Sequence, residues 1–148
     1  VVDPQSSQKA YSMTQACKNP GKCYVILVED DNILNAVLSF QLEAAGINFC
    51  SASNGYQALA LVQSHRPKAL ILDVSLEGLS GFDVVDAIKK DPNLSALDTM
   101  HLIVHTSHDL SKEEKERLTF GRSQFLTKTM CTDDISQILS QILREESL

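Results

Sequence analysis

Long apolar runs, clusters of basic residues and closely spaced cysteine pairs are all missing from this chain of 148 residues. Apolar stretches such as Ala69 to Leu72 and Leu102 to Val104 are strand-sized, whereas a membrane-spanning helix needs about 20 apolar residues. No basic patch followed by an apolar segment opens the sequence, so no secretory signal is visible. Affinity for phosphate backbones comes from clustered Lys and Arg. Here 13 basic residues face 19 acidic ones, for a net charge of -6, and no contact with nucleic acid or membrane is expected. Cys17, Cys23, Cys50 and Cys131 lack the short spacing of a zinc site or redox motif. They read as free thiols in a reducing cytosol, which places the protein in the cytoplasm.

What is present is the composition of a soluble globular protein, 43% hydrophobic and 22% charged, with length for one domain and a tail. Residues 1–22 mix Pro, Ser, Gln and Lys without an apolar period and read as a flexible leader or interdomain linker. The folded domain is expected over 23–148. A first residue Val1 in place of methionine suits a processed product or a piece of a longer chain.

From Tyr24 onward, short apolar runs alternate with segments of helical period. Tyr24 to Val28 reads as a buried strand. Ile33, Val37, Phe40 and Ala44, flanked by Leu34, Leu38 and Leu42, give a helical face that Gly46 closes. Ile47 to Ser51 is a second strand, and Ala58 to Val62 belongs to a helix ended by Pro67. Ala69 to Leu72 is a third strand; Phe82, Val85 and Ile88 mark a helix that ends before Pro92. Met100 to His105 is a fourth strand. Ser111 and Glu114 form a capping box for a helix running toward Phe120 and stopped by Gly121. Gln124 to Thr127 is a fifth strand, and Ile135, Ile138, Leu139, Ile142 and Leu143 stripe a last helix. Five strands alternating with five helices imply an α/β, doubly wound parallel sheet, whose ligands bind beyond the carboxyl ends of the strands.

The polar residues at those ends form a pattern. Strand one, in the stretch ILVEDDN, ends in Glu29, Asp30 and Asp31; strand three ends in Asp73, strand four in Thr106 and Ser107, strand five in Lys128. Carboxylates crowded at a sheet edge repel unless a cation sits among them, and an all-oxygen donor set suits a hard cation such as Mg2+. Lys128 and Thr106 suit an anion instead. A phosphoryl group between cation, ammonium and hydroxyl would be neutralised from three sides, with Asp73 as the natural nucleophile. Asp31 and Asn32 read better as helix caps than as ligands.

These residues carry a resemblance. ILVEDDN, LILDVSLEGLSGFDVV, IVHTS and FLTK, in this order at these strand ends, resemble the receiver domain of two-component response regulators over residues 24–146. The resemblance implies a flavodoxin-like sheet of order 2-1-3-4-5. It implies Mg2+ held by Glu29, Asp30, Asp73 and the backbone carbonyl of Ser75. Asp73 would accept phosphate from a histidine kinase or histidine phosphotransfer protein. Thr106 and Lys128 would bind the phosphoryl group, Phe125 would turn inward as the switch aromatic, and Ser75 and His108 would tune the lifetime of the phosphorylated state. The surface over residues 109–128 would change and reach a downstream protein partner or attached domain, with no separate substrate turned over. Glu77 stands where the family often has proline, and Thr129 follows Lys128 where a cis proline is usual; a trans peptide is expected there, since a cis bond before a residue other than proline costs about 2.5 to 4 kcal/mol.

Three readings follow: a phosphoacceptor module, the C-terminal receiver of a hybrid histidine kinase, and a pseudo-receiver that binds proteins without phosphate. His65, His101 and His105 share no ligand spacing and read as surface or packing residues. KEEKER, 112–117, reads as a solvated face with Glu113 and Arg117 paired.

Overall fold

A computed structural model describes residues 24–94, 99–107, 109–128 and 133–146. The expected leader at 1–22, Cys17, Cys23 and Cys131, His108 and the Lys128–Thr129 peptide therefore lie outside the described residues. The chain runs β1 (Val25–Val28), α1 (Asn32–Ala44), β2 (Phe49–Ala52), α2 (Gly55–His65), β3 (Ala69–Asp73), α3 (Gly81–Lys90), β4 (His101–Thr106), α4 (Lys112–Arg117), β5 (Arg122–Thr127) and α5 (Asp133–Glu146). All strands are parallel in the order β2-β1-β3-β4-β5. This is the expected doubly wound topology.

Strands β1, β3 and β4 are buried throughout, as strands covered on both faces must be, and the apolar runs at 25–28, 69–72 and 102–104 reflect that. One face packs Ile26, Val28, Leu70, Leu72, Leu102 and Val104 against α2 and α3. The other packs Val25, Leu27, Ile71 and Ile103 against α1 and α5. Among the described residues no helix is long and apolar enough to cross a membrane.

The sequence places two apolar stripes on α1, and the core takes only one. Leu38 and Leu42 are buried, with Leu34 packed beside them, while Ile33 and Phe40 are 78% and 71% exposed and Val37 is 41% exposed. The expected face of Ile33, Val37 and Phe40 is thus the outer one. Helix α1 starts on Asp31, whose Oδ1 accepts from the backbone N–H groups of Ile33 and Leu34 at 2.9 and 3.1 Å. It stops at Ala45, with Gly46 in a left-handed turn at φ 74°.

One helix ends before its proline as expected, and one ends early. Helix α2 ends at His65, and Arg66, the residue before Pro67, takes φ 46°. The following proline disfavours the helical region at this position. Helix α4 stops at Arg117, well short of Gly121, because Leu118 turns fully into the core. The Ser123 hydroxyl then accepts from the Phe120 N–H at 3.0 Å.

Cys50, expected as a free thiol, is disulfide-bonded.

Candidate functional site

The register brings the expected residues to one edge. Val28 pairs with Leu72, so Glu29 and Asp73 leave neighbouring strands side by side. Asp73 pairs with His105, and Thr106 with Thr127, the residue before Lys128. A backbone bond of 2.7 Å from the Lys128 N–H to the Thr106 carbonyl ties the last two strand ends together. Glu29, Asp73 and Thr106 are only 1%, 2% and 3% exposed.

Two buried carboxylates at this spacing require a cation. The Lys128 Nζ supplies it, standing 2.8 and 3.1 Å from the two oxygens of Glu29 and 3.0 Å from Asp73 Oδ2. The lysine therefore bridges the two acids. Burial pushes the Glu29 carboxyl up to about 7, the Lys128 hydrogen bond opposes that rise, and the neighbouring Asp73 adds to it. Burial works against the Lys128 charge, but its bonds to Glu29 and Asp73 more than offset this and hold the ammonium above its ordinary value.

Backbone donors also reach both carboxylates. The Ser75 N–H donates to Asp73 Oδ1 at 3.1 Å, and the Asp31 N–H to Glu29 Oε2 at 3.2 Å. Asn35 reaches back from α1, its Nδ2 donating to the Glu29 carbonyl at 3.0 Å. Helix α3 begins directly under the nucleophile candidate: the Gly81 N–H donates to the Val74 carbonyl at 3.0 Å, and a Cβ on Gly81 would stand 2.6 Å from the Asp73 carbonyl oxygen. Only glycine permits this approach.

Glu29, Asp30 and Asp73 each offer a carboxylate oxygen, all within 4.8 Å of one another. Asp30 is the most open of the three. Three hard oxygen donors around one point, two of them buried, fit the Mg2+ site of receiver domains.

Beside Thr106 lies a cleft of about 320 Å³ lined by Thr106, Asp109, Leu110, Lys115, Phe125 and Leu126. Phe125 is half-buried against the core there. His105 is buried, which selects packing from the two expected alternatives; burial lowers its pKa, and the Lys128 charge lowers it further. Sequence reasoning missed two participants. Lys115 stands over the Phe125 ring, 5.8 Å from its centroid. Arg117 pairs with Asp86 at 2.7 Å and Asp83 at 3.5 Å, not with Glu113. None of these contacts joins residues close in sequence, so local spacing carried no sign of them.

The comparisons agree with this geometry. The family model for the response regulator receiver domain matches residues 25–140. The probable transcriptional regulatory protein TcrX of Mycobacterium tuberculosis is 29% identical over 121 residues, covering 81% of this chain and 49% of that protein. The alkaline phosphatase synthesis transcriptional regulatory protein PhoP of Bacillus subtilis is 23% identical, covering 84% of this chain and 50% of that one. The chain thus spans about half the length of these relatives. Among solved structures, the chemotaxis protein CheY4 of Vibrio cholerae superimposes with a TM-score of 0.68 at 24% identity, covering 82% of this chain and 98% of that one. The N-terminal domain of an uncharacterized protein from Wolinella succinogenes gives 0.71 at 22% identity, covering 84% and 96%. With the family model spanning most of its length and the acidic cluster standing at the matching strand ends, this chain belongs to the response regulator receiver domain family.

Proposed function

We propose that this domain is a phosphoacceptor switch in which Asp73 receives a phosphoryl group from a phosphohistidine on a kinase or phosphotransfer protein. The observation that carries this reading is Lys128 bridging Glu29 and Asp73 beside the third carboxylate, Asp30. Phosphoacceptance is general to the family.

Glu29, Asp30 and Asp73, with the Ser75 carbonyl, would hold Mg2+, which when bound supplies positive charge to the phosphoryl oxygens. The chain's own residues do the rest. Asp73 attacks phosphorus through a carboxylate oxygen. The P–N bond of the donor breaks as the P–O bond forms, and the imidazole leaves with the electron pair and takes a proton from solvent. The Ser75 N–H steadies Oδ1. Lys128, already at Asp73 Oδ2, moves its ammonium onto a phosphoryl oxygen, and the Thr106 hydroxyl donates to another. Phe125 then turns inward beside Thr106, and the surface over 109–128 changes for a downstream protein partner or an attached domain. Ser75 and His108 tune the lifetime of the acyl phosphate. No separate metabolite is turned over, and a kinase partner implies a cytoplasmic location. The expected lack of nucleic-acid contact concerns this chain's own acidic surface only, because its relatives of about twice the length include named transcriptional regulators.

Incubation with acetyl phosphate and Mg2+ should add one phosphoryl group by intact mass, and none to Asp73→Asn. A wild-type protein that gains no mass, with or without Mg2+, would refute this reading and leave the phosphate-independent interaction module.

A further inference from the structure

Helix α4 lacks the usual means of staying in place. It spans six residues, Lys112–Arg117, and none of them is buried. Isolated helices this short are unstable in water. Its N-terminus is held by the Ser111–Glu114 capping box. Its C-terminus is held by α3: the Arg117 guanidinium pairs with Asp86 and Asp83 and lies 5.0 Å from the centroid of the Phe82 ring, while Lys89 Nζ donates to the Arg117 carbonyl at 2.8 Å. So anchored, α4 presents Lys115 to the half-buried Phe125, with the ammonium 5.8 Å from the ring centroid. Both side chains line the cleft that also contains Thr106.

We infer that Lys115 is a latch on Phe125: its cation–π contact holds the ring in the position seen here and so sets the threshold for inward rotation. This rests on the phosphoacceptor reading and adds its regulation. A cleft of about 320 Å³ has room for the ring, since a cavity of about 150 Å³ accommodates benzene. The cleft thus offers the ring a volume next to its present position. The ammonium opposes rotation, because the contact is lost once the ring leaves it. A partly exposed cation–π contact is worth enough to change a two-state ratio by about two- to fivefold. Lys115 is a positioning residue: it touches neither metal ligands nor the phosphoryl group.

The test uses wild type, Lys115→Met, Lys115→Arg and Phe125→Leu, each also labelled with fluorophenylalanine. In metal-free protein, the fluorine resonance of residue 125, assigned by its loss in Phe125→Leu, should move in Lys115→Met and stay near wild type in Lys115→Arg. With Mg2+, half-saturation by beryllofluoride should fall about two- to fivefold in Lys115→Met, remain unchanged in Lys115→Arg, and show no effect of Lys115→Met in the Phe125→Leu background. An unmoved resonance, an unchanged midpoint, or an equal shift without Phe125 overturns the latch while leaving the phosphoacceptor reading intact. If wild type binds no beryllofluoride, that reading fails and the latch falls with it.

Discussion

Replacing Lys128 with methionine keeps much of the side-chain stem and removes its charge. In metal-free protein, at a pH high enough to ionise Glu29 even without the ammonium, Glu29 and Asp73 then remain as two buried anions without a counter-charge, and breaking a buried ion pair costs about 3 to 5 kcal/mol. The Lys128 side chain is 19% exposed, against 1% and 3% for its partners, so the lower end, about 3 kcal/mol, is expected. With a urea slope of about 1.5 kcal/mol/M, the midpoint drops by about 2 M.

The loss should depend on pH with a definite sign. The folded-state value of Glu29, about 7, lies above its ordinary 4.5. Its contribution to stability is therefore greatest at low pH and is lost as pH rises through the folded value. Removing Lys128 takes away the main influence opposing that rise. At about pH 5 Glu29 carries a proton, the variant buries one charge where it would bury two, and the penalty shrinks. Urea unfolding by far-UV circular dichroism, with a chelator and then with Mg2+, measures this. Added Mg2+ should stabilise Lys128→Met more than wild type, since ligand at about 100 times Kd contributes about 2.7 kcal/mol and has no ammonium to displace. Equal losses at both pH values, or no rescue by Mg2+, would refute the bridging role given to Lys128.

Gly81→Ala would force a Cβ to within 2.6 Å of the Asp73 carbonyl and 2.8 Å of Val74 Cα. Backbone cannot yield cheaply there, so a loss of about 1 to 3 kcal/mol in urea unfolding and slower phosphorylation by acetyl phosphate are expected. His105→Leu should remove an acid-sensitive component of stability. A buried histidine with a lowered pKa contributes stability present above its ordinary 6.5 and lost as pH falls through the lowered value, so melting temperatures between about pH 7 and pH 5 should decline less in the variant. Asp31→Ala removes the acceptor for Ile33 and Leu34 and should cost about 1 kcal/mol, with Asp31→Asn near wild type in the same unfolding assay.

The sheet and its acidic edge were legible because β1 and β3 are apolar runs that end abruptly in charge, at Val28–Glu29 and Leu72–Asp73. Caps were legible for a similar reason, since Asp31 and Ser111 act on residues two or three positions away. Contacts across the fold were not. Arg117 has an acidic residue four positions before it on its own helix, yet Asp86 on α3 reaches it more closely. On α1 both apolar stripes satisfy helical spacing, and only the placement of β1, β2 and α5 selects Leu38 and Leu42. His105 is buried because β4 is an inner strand, paired with β3 and β5 and buried along its whole length, information that lies in other segments.

Helix α3 connects the strand end of Asp73 to α4. Its first residue abuts the strand end that carries Asp73, and its acidic side chains at 83 and 86 grip α4. A tilt of that rigid rod would be felt at both ends, so substitutions along its exposed side are the place to look for variants that alter chemistry and surface together.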